Sequence, residues 1–163
     1  MRSLTRAALG QTGTRFRLFP QSPVLKAYRN PETVWVSPKP GTIGPGPSDA
    51  RMYVIDAIDK HPYEYPYLPP YRGPKRPPVA PGGDGHFDYL RVDDPGFRSA
   101  HMYGTVRRVL DIWESYFRQR IVWRFIGRRW PRLELVSYVD WKNAHSGWGF
   151  LETGYAVDEI GSR

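Results

Sequence analysis

Proline is distributed very unevenly along this chain, and its positions restrict where helices and strands can form. Eight of the twenty residues at 62–81 are proline. Because proline lacks an amide proton and fixes its own φ, this segment cannot form a helix or a central strand. Four tyrosines are interleaved with the prolines, at positions 63, 65, 67 and 71. We interpret the segment as an ordered extended arm packed on a folded body, the alternative being a ligand for SH3 or WW domains.

Composition excludes several kinds of site. The chain has 163 residues, the size of about one domain. It contains no cysteine, which rules out a disulfide scaffold, a thiol nucleophile and cysteine-ligated metal centres. Six tryptophans, eleven tyrosines and seven phenylalanines are too many for a disordered tail. No continuous apolar run is long enough for a transmembrane helix, so we expect no membrane span.

Basic residues outnumber acidic ones by 24 to 16, and the first acidic residue is Glu32. We therefore predict a basic, acid-free arm at residues 1–31. Its arginine, serine and threonine content is also typical of a mitochondrial transit peptide, whereas the apolar stretch of a secretory signal is absent. A cytoplasmic location is favoured, with mitochondrial import as the alternative.

One long amphipathic helix is predicted between Asp94 and about Gln119. Asp94 and Pro95 are typical of an N-cap and of the first helical position. Apolar residues then recur at the spacing of one helix face, at positions 103, 106, 110, 113 and 117. On the opposite face we expect two i,i+4 ion pairs, at 107–111 and 114–118.

Short strands are predicted at 33–36 and 52–55, and further strands at 133–139 and 148–152, with a turn at 140–143. Together with the helix they indicate an α+β fold, in which the long helix packs on a small, mainly antiparallel sheet. We divide the chain into the basic arm, an extended Pro/Gly/Tyr-rich region at 32–92 and an α+β core at 93–163.

Motifs for several catalytic chemistries are missing. There is no H-E-x-x-H, no G-x-S-x-G and no phosphate-binding glycine loop. The four histidines lack the spacing by which two imidazoles share a metal on a helix. We therefore predict no catalytic residue, no metal ligand and no cofactor, and we expect the chain to be inactive as an enzyme.

An acid-free run of arginines interleaved with aromatic residues follows the helix. Basic and aromatic side chains in this mixture suit phosphate contacts with base stacking, and they equally suit an acidic protein partner. No RRM, KH or zinc-knuckle signature accompanies them. The candidate residues are Arg118, Arg120, Arg124, Arg128, Arg129 and Arg132.

Residues 97–155 resemble the N-terminal lobe of the thermolysin-like zinc metallopeptidases. The matching features are Ala-His-Met-Tyr at 100–103 with the aromatic stripe that follows, Asn-Ala at 143–144, and the glycine-containing segment at 147–155. In that family the Asn-Ala strand borders the cleft and hydrogen-bonds the substrate backbone. The resemblance thus implies that Asn143 and Ala144 bind substrate; the alternative is a hairpin turn that tolerates asparagine.

The family's H-E-x-x-H helix would follow this segment, yet only eight residues remain after Tyr155. Without it, no zinc-activated water can form. The resemblance therefore predicts a non-catalytic relative or fragment that offers a cleft-edge strand to a peptide or protein. The alternative is a basic assembly subunit of a large complex, such as a ribonucleoprotein. In both cases we expect another protein chain as partner, and in the second also nucleic acid.

Overall fold

The computed structural model describes residues 12–64 and 69–155. Within them, strands β1 (Thr14–Leu18) and β2 (Glu32–Val36) form a two-stranded antiparallel sheet. Phe16 in β1 is fully buried and belongs to the main hydrophobic core. The prediction of a basic arm at 1–31 is therefore wrong from Thr14 onwards. The arginines of β1 alternate with apolar residues, so one face of the strand is buried while the arginines face outward. The transit-peptide interpretation falls largely on residues 1–11, outside the described residues.

A four-stranded sheet contains β3 (Met52–Asp56), β4 (Leu133–Asp140), β5 (Ala144–Gly147) and β6 (Phe150–Tyr155) in the order β3-β4-β6-β5. The α+β class is confirmed. The pairs β3–β4 and β4–β6 are parallel, and only β5–β6 is antiparallel, so this sheet is more mixed than the sequence suggested. A long crossover that contains the helix separates β3 from β4, which allows the parallel pairing.

Helix α1 (Phe97–Phe117) lies where the apolar spacing predicts it. Asp94, however, is not its N-cap. The residue at that position is Gly96, and the Asp94 carboxylate instead accepts a hydrogen bond from the Arg91 N–H at 2.7 Å, which closes the preceding turn. At the other end Arg118 adopts a left-handed conformation, and its N–H donates to the Glu114 carbonyl.

The main core lies between α1, the β1–β2 sheet and one face of the four-stranded sheet. Leu133 and Leu135 of β4 face this core, together with Phe16 and Tyr103. The Phe16 ring stacks on Phe87 with centroids 4.9 Å apart. This core draws on all three segments into which we divided the chain, so residues 93–163 do not form it alone.

The opposite face of the sheet is covered by the Pro/Tyr-rich arm. Tyr63 packs on Phe150 with ring centroids 4.9 Å apart, and Tyr71 lies in the second hydrophobic cluster with Val136. The Arg76 N–H donates to the Asp56 carbonyl at the end of β3. Over the described residues, the ordered packed arm is therefore confirmed. Tyr65 and Tyr67 lie outside them.

Of the two ion pairs predicted on the polar face of α1, that of Arg107 with Asp111 is present, but both residues are buried instead of exposed. Asp111 accepts hydrogen bonds from the N–H and hydroxyl of Ser37, and Arg107 pairs with it at 2.7 Å. Glu114 pairs with Arg51 at 2.7 Å instead of with Arg118. The charged side chains of this helix face thus serve as partners for Ser37, just after β2, and Arg51, just before β3. The spacing of residues in the sequence does not reveal these contacts.

The end of the apolar stripe is also more exposed than predicted. Trp113, Tyr116 and Phe117 contact one another and remain largely open to solvent.

No helix of the described residues is both long and apolar enough to cross a membrane.

Candidate functional site

The two residues predicted to bind substrate lie at the outer edge of the four-stranded sheet. Ala144 is the first residue of β5, Asn143 immediately precedes it, and both side chains are exposed. Strand β5 pairs with β6 on one side, and no described strand pairs with its other side. The turn predicted at 140–143 is present as a bend at 141–143, since Asp140 still belongs to β4, and the chain continues directly into this edge strand.

Backbone directions along β5 follow from two hydrogen bonds. The Asn143 carbonyl accepts from the Gly154 N–H of β6 at 2.8 Å, so the backbone groups of Asn143 face the sheet. Successive residues of a strand point their backbone groups to alternate sides, so those of Ala144 and Ser146 face the open edge. The Ala144 N–H is held by the Asn143 side-chain oxygen at 2.8 Å. The edge therefore presents the Ala144 carbonyl and both backbone groups of Ser146.

A buried ionic cluster supports β5 from beneath. His145 lies opposite Glu152 across the β5–β6 pair, with its Nε2 2.5 Å from Glu152 Oε2. The other carboxylate oxygen, Oε1, pairs with the ammonium group of Lys60, and the Tyr63 N–H donates to Oε2 at 2.8 Å. Glu152 and Lys60 are almost wholly buried. This cluster ties the edge strand to the Pro/Tyr-rich arm.

Glu134 of β4 forms a second buried cluster on the same face. It accepts hydrogen bonds from the Tyr53 hydroxyl at 2.7 Å, the Tyr63 hydroxyl at 2.6 Å and the Tyr71 N–H at 3.0 Å. Burial, and secondly the Glu134 carboxylate, raises the pKa of Tyr53 and Tyr63 well above 10, so both phenols stay protonated donors.

Both carboxylates have their hydrogen-bonding capacity met by protein groups, and their main effect is to hold the arm on the sheet. Sequence reasoning missed this role. The available signal was the pattern of β4, where Glu134 stands among Leu133, Leu135 and Val136 in a strand that is buried on both faces.

The six arginines of the basic run do not act as one group. Arg118, Arg120, Arg124, Arg128 and Arg129 are exposed. Arg132 is engaged internally, since its guanidinium donates to the Ser48 hydroxyl at 2.8 Å and lies 4.6 Å from the centroid of the Tyr53 ring. The exposed five therefore form the candidate polyanion surface, and Arg132 is a structural residue.

The described residues contain no group of three or more histidine, aspartate or glutamate side chains placed to hold a metal ion. His86 and Asp88 both contact β1. His86 Nδ1 accepts from the Arg15 N–H at 3.0 Å, and Asp88 pairs with the Arg15 guanidinium at 2.7 Å. This part of the chain offers no ligand set for the catalytic zinc of the peptidases that residues 97–155 resemble.

No protein-family model, curated protein or solved structure matches this chain.

Proposed function

We propose that this chain is a non-catalytic relative of the N-terminal lobe of the thermolysin-like metallopeptidases and that β5 binds an extended peptide by strand addition. The observation that carries the proposal is the open edge of β5. There the Ala144 carbonyl and the backbone groups of Ser146 are available to a further strand, beside the exposed Asn143 side chain.

The order of elements supports the proposal. A long helix that carries Ala100, His101 and Tyr103 leads to β4, then to the Asn-Ala edge strand, a glycine-containing turn and β6. This is the order in the lobe that the sequence resembles. The contact of the partly exposed His145 with the buried Glu152 holds the edge strand in place before a peptide arrives, which reduces the entropy cost of binding.

Binding without cleavage is proposed because the chain has no H-E-x-x-H sequence. A peptidase of this kind needs a metal-activated water as nucleophile and a base to deprotonate it. The open edge of β5 supplies backbone hydrogen bonds to a peptide, and the one imidazole of the strand, that of His145, contacts Glu152.

The test uses a displayed library of random heptapeptides selected on the purified full-length chain. A selected peptide is synthesised, and its affinity is measured by fluorescence anisotropy for the wild type and for Ser146→Pro. Proline removes the outward N–H of Ser146 while leaving the β5–β6 hydrogen bonds intact, as edge strands tolerate. We expect affinity to fall about tenfold or more, through loss of a hydrogen bond and steric interference at the edge.

Ser146→Ala is the matched control, because it keeps the N–H and should retain affinity within about twofold. Circular dichroism verifies that both variants are folded. Two further peptides carry methyl groups on the odd-numbered or on the even-numbered backbone nitrogens. Only the set whose N–H groups face β5 should abolish binding, because the other set points away from the edge. Equal binding by Ser146→Pro and Ser146→Ala would refute strand addition at β5.

A second function is favoured by the exposed basic surface. From Ser115 to Arg132 the chain has no acidic residue, and the arginines are interleaved with aromatic residues, with the Arg129 guanidinium 4.7 Å from the centroid of the Trp130 ring. We propose as the alternative that this surface binds a polyanion such as RNA within an assembly, through phosphate contacts and base stacking.

Retention on heparin and affinity for single-stranded RNA test the alternative. Both should fall steeply with salt, and the double variant Arg128→Ala, Arg129→Ala should flatten the salt dependence by about two phosphate contacts. The double variant Arg29→Ala, Lys39→Ala removes the same charge from exposed positions elsewhere. If both double variants weaken binding equally, net charge accounts for it and the surface is not a specific site.

A further inference from the structure

A groove of about 680 Å³ lies between the first half of α1 and the ends of β4 and β6. Its walls are largely apolar and are formed by Phe19, Phe97, Met102, Val106 and Leu151. A volume of this size is within the range of small-molecule sites, which are apolar with a few placed polar groups. The groove lies on the helix-facing side of the sheet, opposite the clusters of Glu134 and Glu152.

One polar group in the groove has no partner. Ser137 lines it, its side chain is buried, and its hydroxyl makes no hydrogen bond to any described residue. A buried hydroxyl without a partner costs free energy, and native proteins rarely retain one without a reason. The oxygen itself has almost no accessible surface, so a rotation of the side chain on binding would bring the hydroxyl to a ligand oxygen in the groove.

The backbone next to Ser137 is irregular. The pairing of β4 with β6 shifts register between Ser137 and Val139, and Tyr138 between them has a φ of 72°. A tyrosine in the left-handed region is strained, and bulges of this kind redirect side chains at binding sites. The strain therefore lies at the groove and not at a turn, where it would have an ordinary explanation.

The groove is lined by a positively charged side chain and by no negatively charged one. The Arg98 guanidinium lines it and stacks over the Tyr138 ring, 3.7 Å from its centroid. None of the residues that line the groove is acidic, and no ion pair within the described chain involves Arg98. His101 adds no charge at neutral pH, since burial lowers its pKa and its Nε2 accepts the Phe19 N–H at 3.0 Å.

We propose that this groove binds a small amphipathic carboxylic acid. Its carboxylate would pair with Arg98 and accept the Ser137 hydroxyl, and its hydrocarbon body would lie against Met102, Val106 and Leu151. Guanidinium–carboxylate pairs are strong when the surroundings are partly desolvated, and the apolar walls contribute in proportion to the area they bury. The site is independent of the peptide-binding function proposed for β5, because neither needs the residues of the other.

Calorimetric titration of the full-length wild type with decanoate and with decanol tests the charge requirement without any substitution. We expect saturable binding of one decanoate per chain. The affinity for decanol should be lower by at least about tenfold, because the alcohol cannot form an ion pair with Arg98. Absence of saturable decanoate binding, as expected if a protein surface or another segment occupies the groove, would overturn the proposal. Equal affinity for the two probes would also overturn it.

Two variants then locate the site. Arg98→Met should weaken decanoate binding about tenfold and leave decanol binding unchanged. Its control is Arg91→Met, which removes a neighbouring exposed arginine outside the groove and should leave both affinities unchanged. If Arg91→Met weakens decanoate binding as much as Arg98→Met, the groove is not the site.

Ser137→Ala separates ligand binding from folding. Because the hydroxyl has no partner, its removal should leave the melting temperature unchanged or raise it, while decanoate affinity falls about three- to tenfold. A marked drop in melting temperature would mean that the hydroxyl has a structural partner, and unchanged affinity would mean that it does not contact the ligand. Either result contradicts its proposed role.

Discussion

Single charged residues in the interior of this protein hold the Pro/Tyr-rich arm to the sheet. Lys60 comes from the chain just before the arm, and its ammonium group pairs with Glu152 and lies 3.5 Å from the centroid of the Tyr63 ring. Both charges are out of contact with water, so each depends on the other. Removing one partner from such a pair leaves a buried charge unmatched, which is far more costly than replacing both.

Glu152→Gln should lower the free energy of unfolding by about 3–5 kcal/mol, because the shape is kept while the charge that matches Lys60 is lost. Urea denaturation followed by circular dichroism measures this. The double variant Glu152→Leu, Lys60→Met should be closer to the wild type than the single variant. Asp93→Asn is the surface control, since the pair of Asp93 with Arg91 is largely exposed and contributes less than about 1 kcal/mol. A loss in Glu152→Gln no larger than in this control would contradict the prediction.

At the scale of elements, the contact between α1 and β1 sets the position of the helix. Gly104 is buried in the middle of α1, where the helix crosses β1. A Cβ at this position would lie 2.9 Å from Leu18 Cδ2 and 3.0 Å from Phe16 Cγ. Phe16 is held between Phe87 and Tyr103, so it has little room to move. Glycine is thus required here by close approach of two elements and not by backbone conformation.

Gly104→Ala should therefore destabilise the protein by about 1 kcal/mol or more, although alanine is the better helix former by about 1 kcal/mol. The strand must shift to accept the methyl group, and this cost exceeds the gain in helix propensity. Thermal and urea denaturation measure the net effect. Gly83→Ala is the matched control, because a Cβ there meets nothing within 4 Å, and it should be neutral or slightly stabilising. A Gly104→Ala variant that is as stable as the wild type would show that β1 and α1 pack less tightly than described.

At the scale of the whole molecule, buried tyrosines join the layers. Tyr103 donates to Asp49 at 2.7 Å and connects α1 to the start of β3, while Tyr53 and Tyr63 donate to Glu134 across the sheet. Burial, followed by these carboxylates, raises the pKa of all three phenols above their ordinary value of 10. Above pH 10, the folded protein therefore keeps protons on these tyrosines that the unfolded chain would release.

The contribution of these tyrosines to the free energy of unfolding should accordingly be fully present below pH 10. It should decrease as the pH rises further, by up to about 1.4 kcal/mol per pH unit for each tyrosine. The absorbance of tyrosinate, recorded with circular dichroism over an alkaline titration, measures the effect. Exposed tyrosines should ionise first, and the buried group only as the protein unfolds. Tyr63→Phe should reduce that late fraction by one tyrosine. Ionisation of every tyrosine before any loss of structure would refute the buried hydrogen bonds.

Local patterns predicted much of the element content. The apolar spacing located α1 to within a few residues, and the apolar runs located β2, β3, β4 and part of β6. Proline density marked the arm that packs on the sheet. Strand β1 was missed because its arginines dominated the composition of residues 1–31, although Phe16 and Leu18 alternate with them. The edge strand β5 has no apolar pattern that would predict it, and the Asn-Ala pair was its one signal. The strand has four residues, and most of them are exposed.

The sequence by itself located the helix, the extended arm, strands β2, β3 and β4 and part of β6, because those choices depend on the spacing of apolar residues and on the backbone limits of proline and glycine. Only the tertiary structure decided that β3, β4 and β6 run parallel, that Arg107, Glu134 and Glu152 are interior residues, and that Arg132 differs from its five exposed neighbours. The physical reason is that these charges find partners in distant parts of the chain: even Arg107, which pairs with Asp111 one helical turn away, also donates to the Ser37 hydroxyl 70 residues away. Tyr53 and Tyr63, which donate to Glu134, and Lys60, which pairs with Glu152, lie more than 60 residues from those carboxylates in the sequence, beyond the reach of any local pattern.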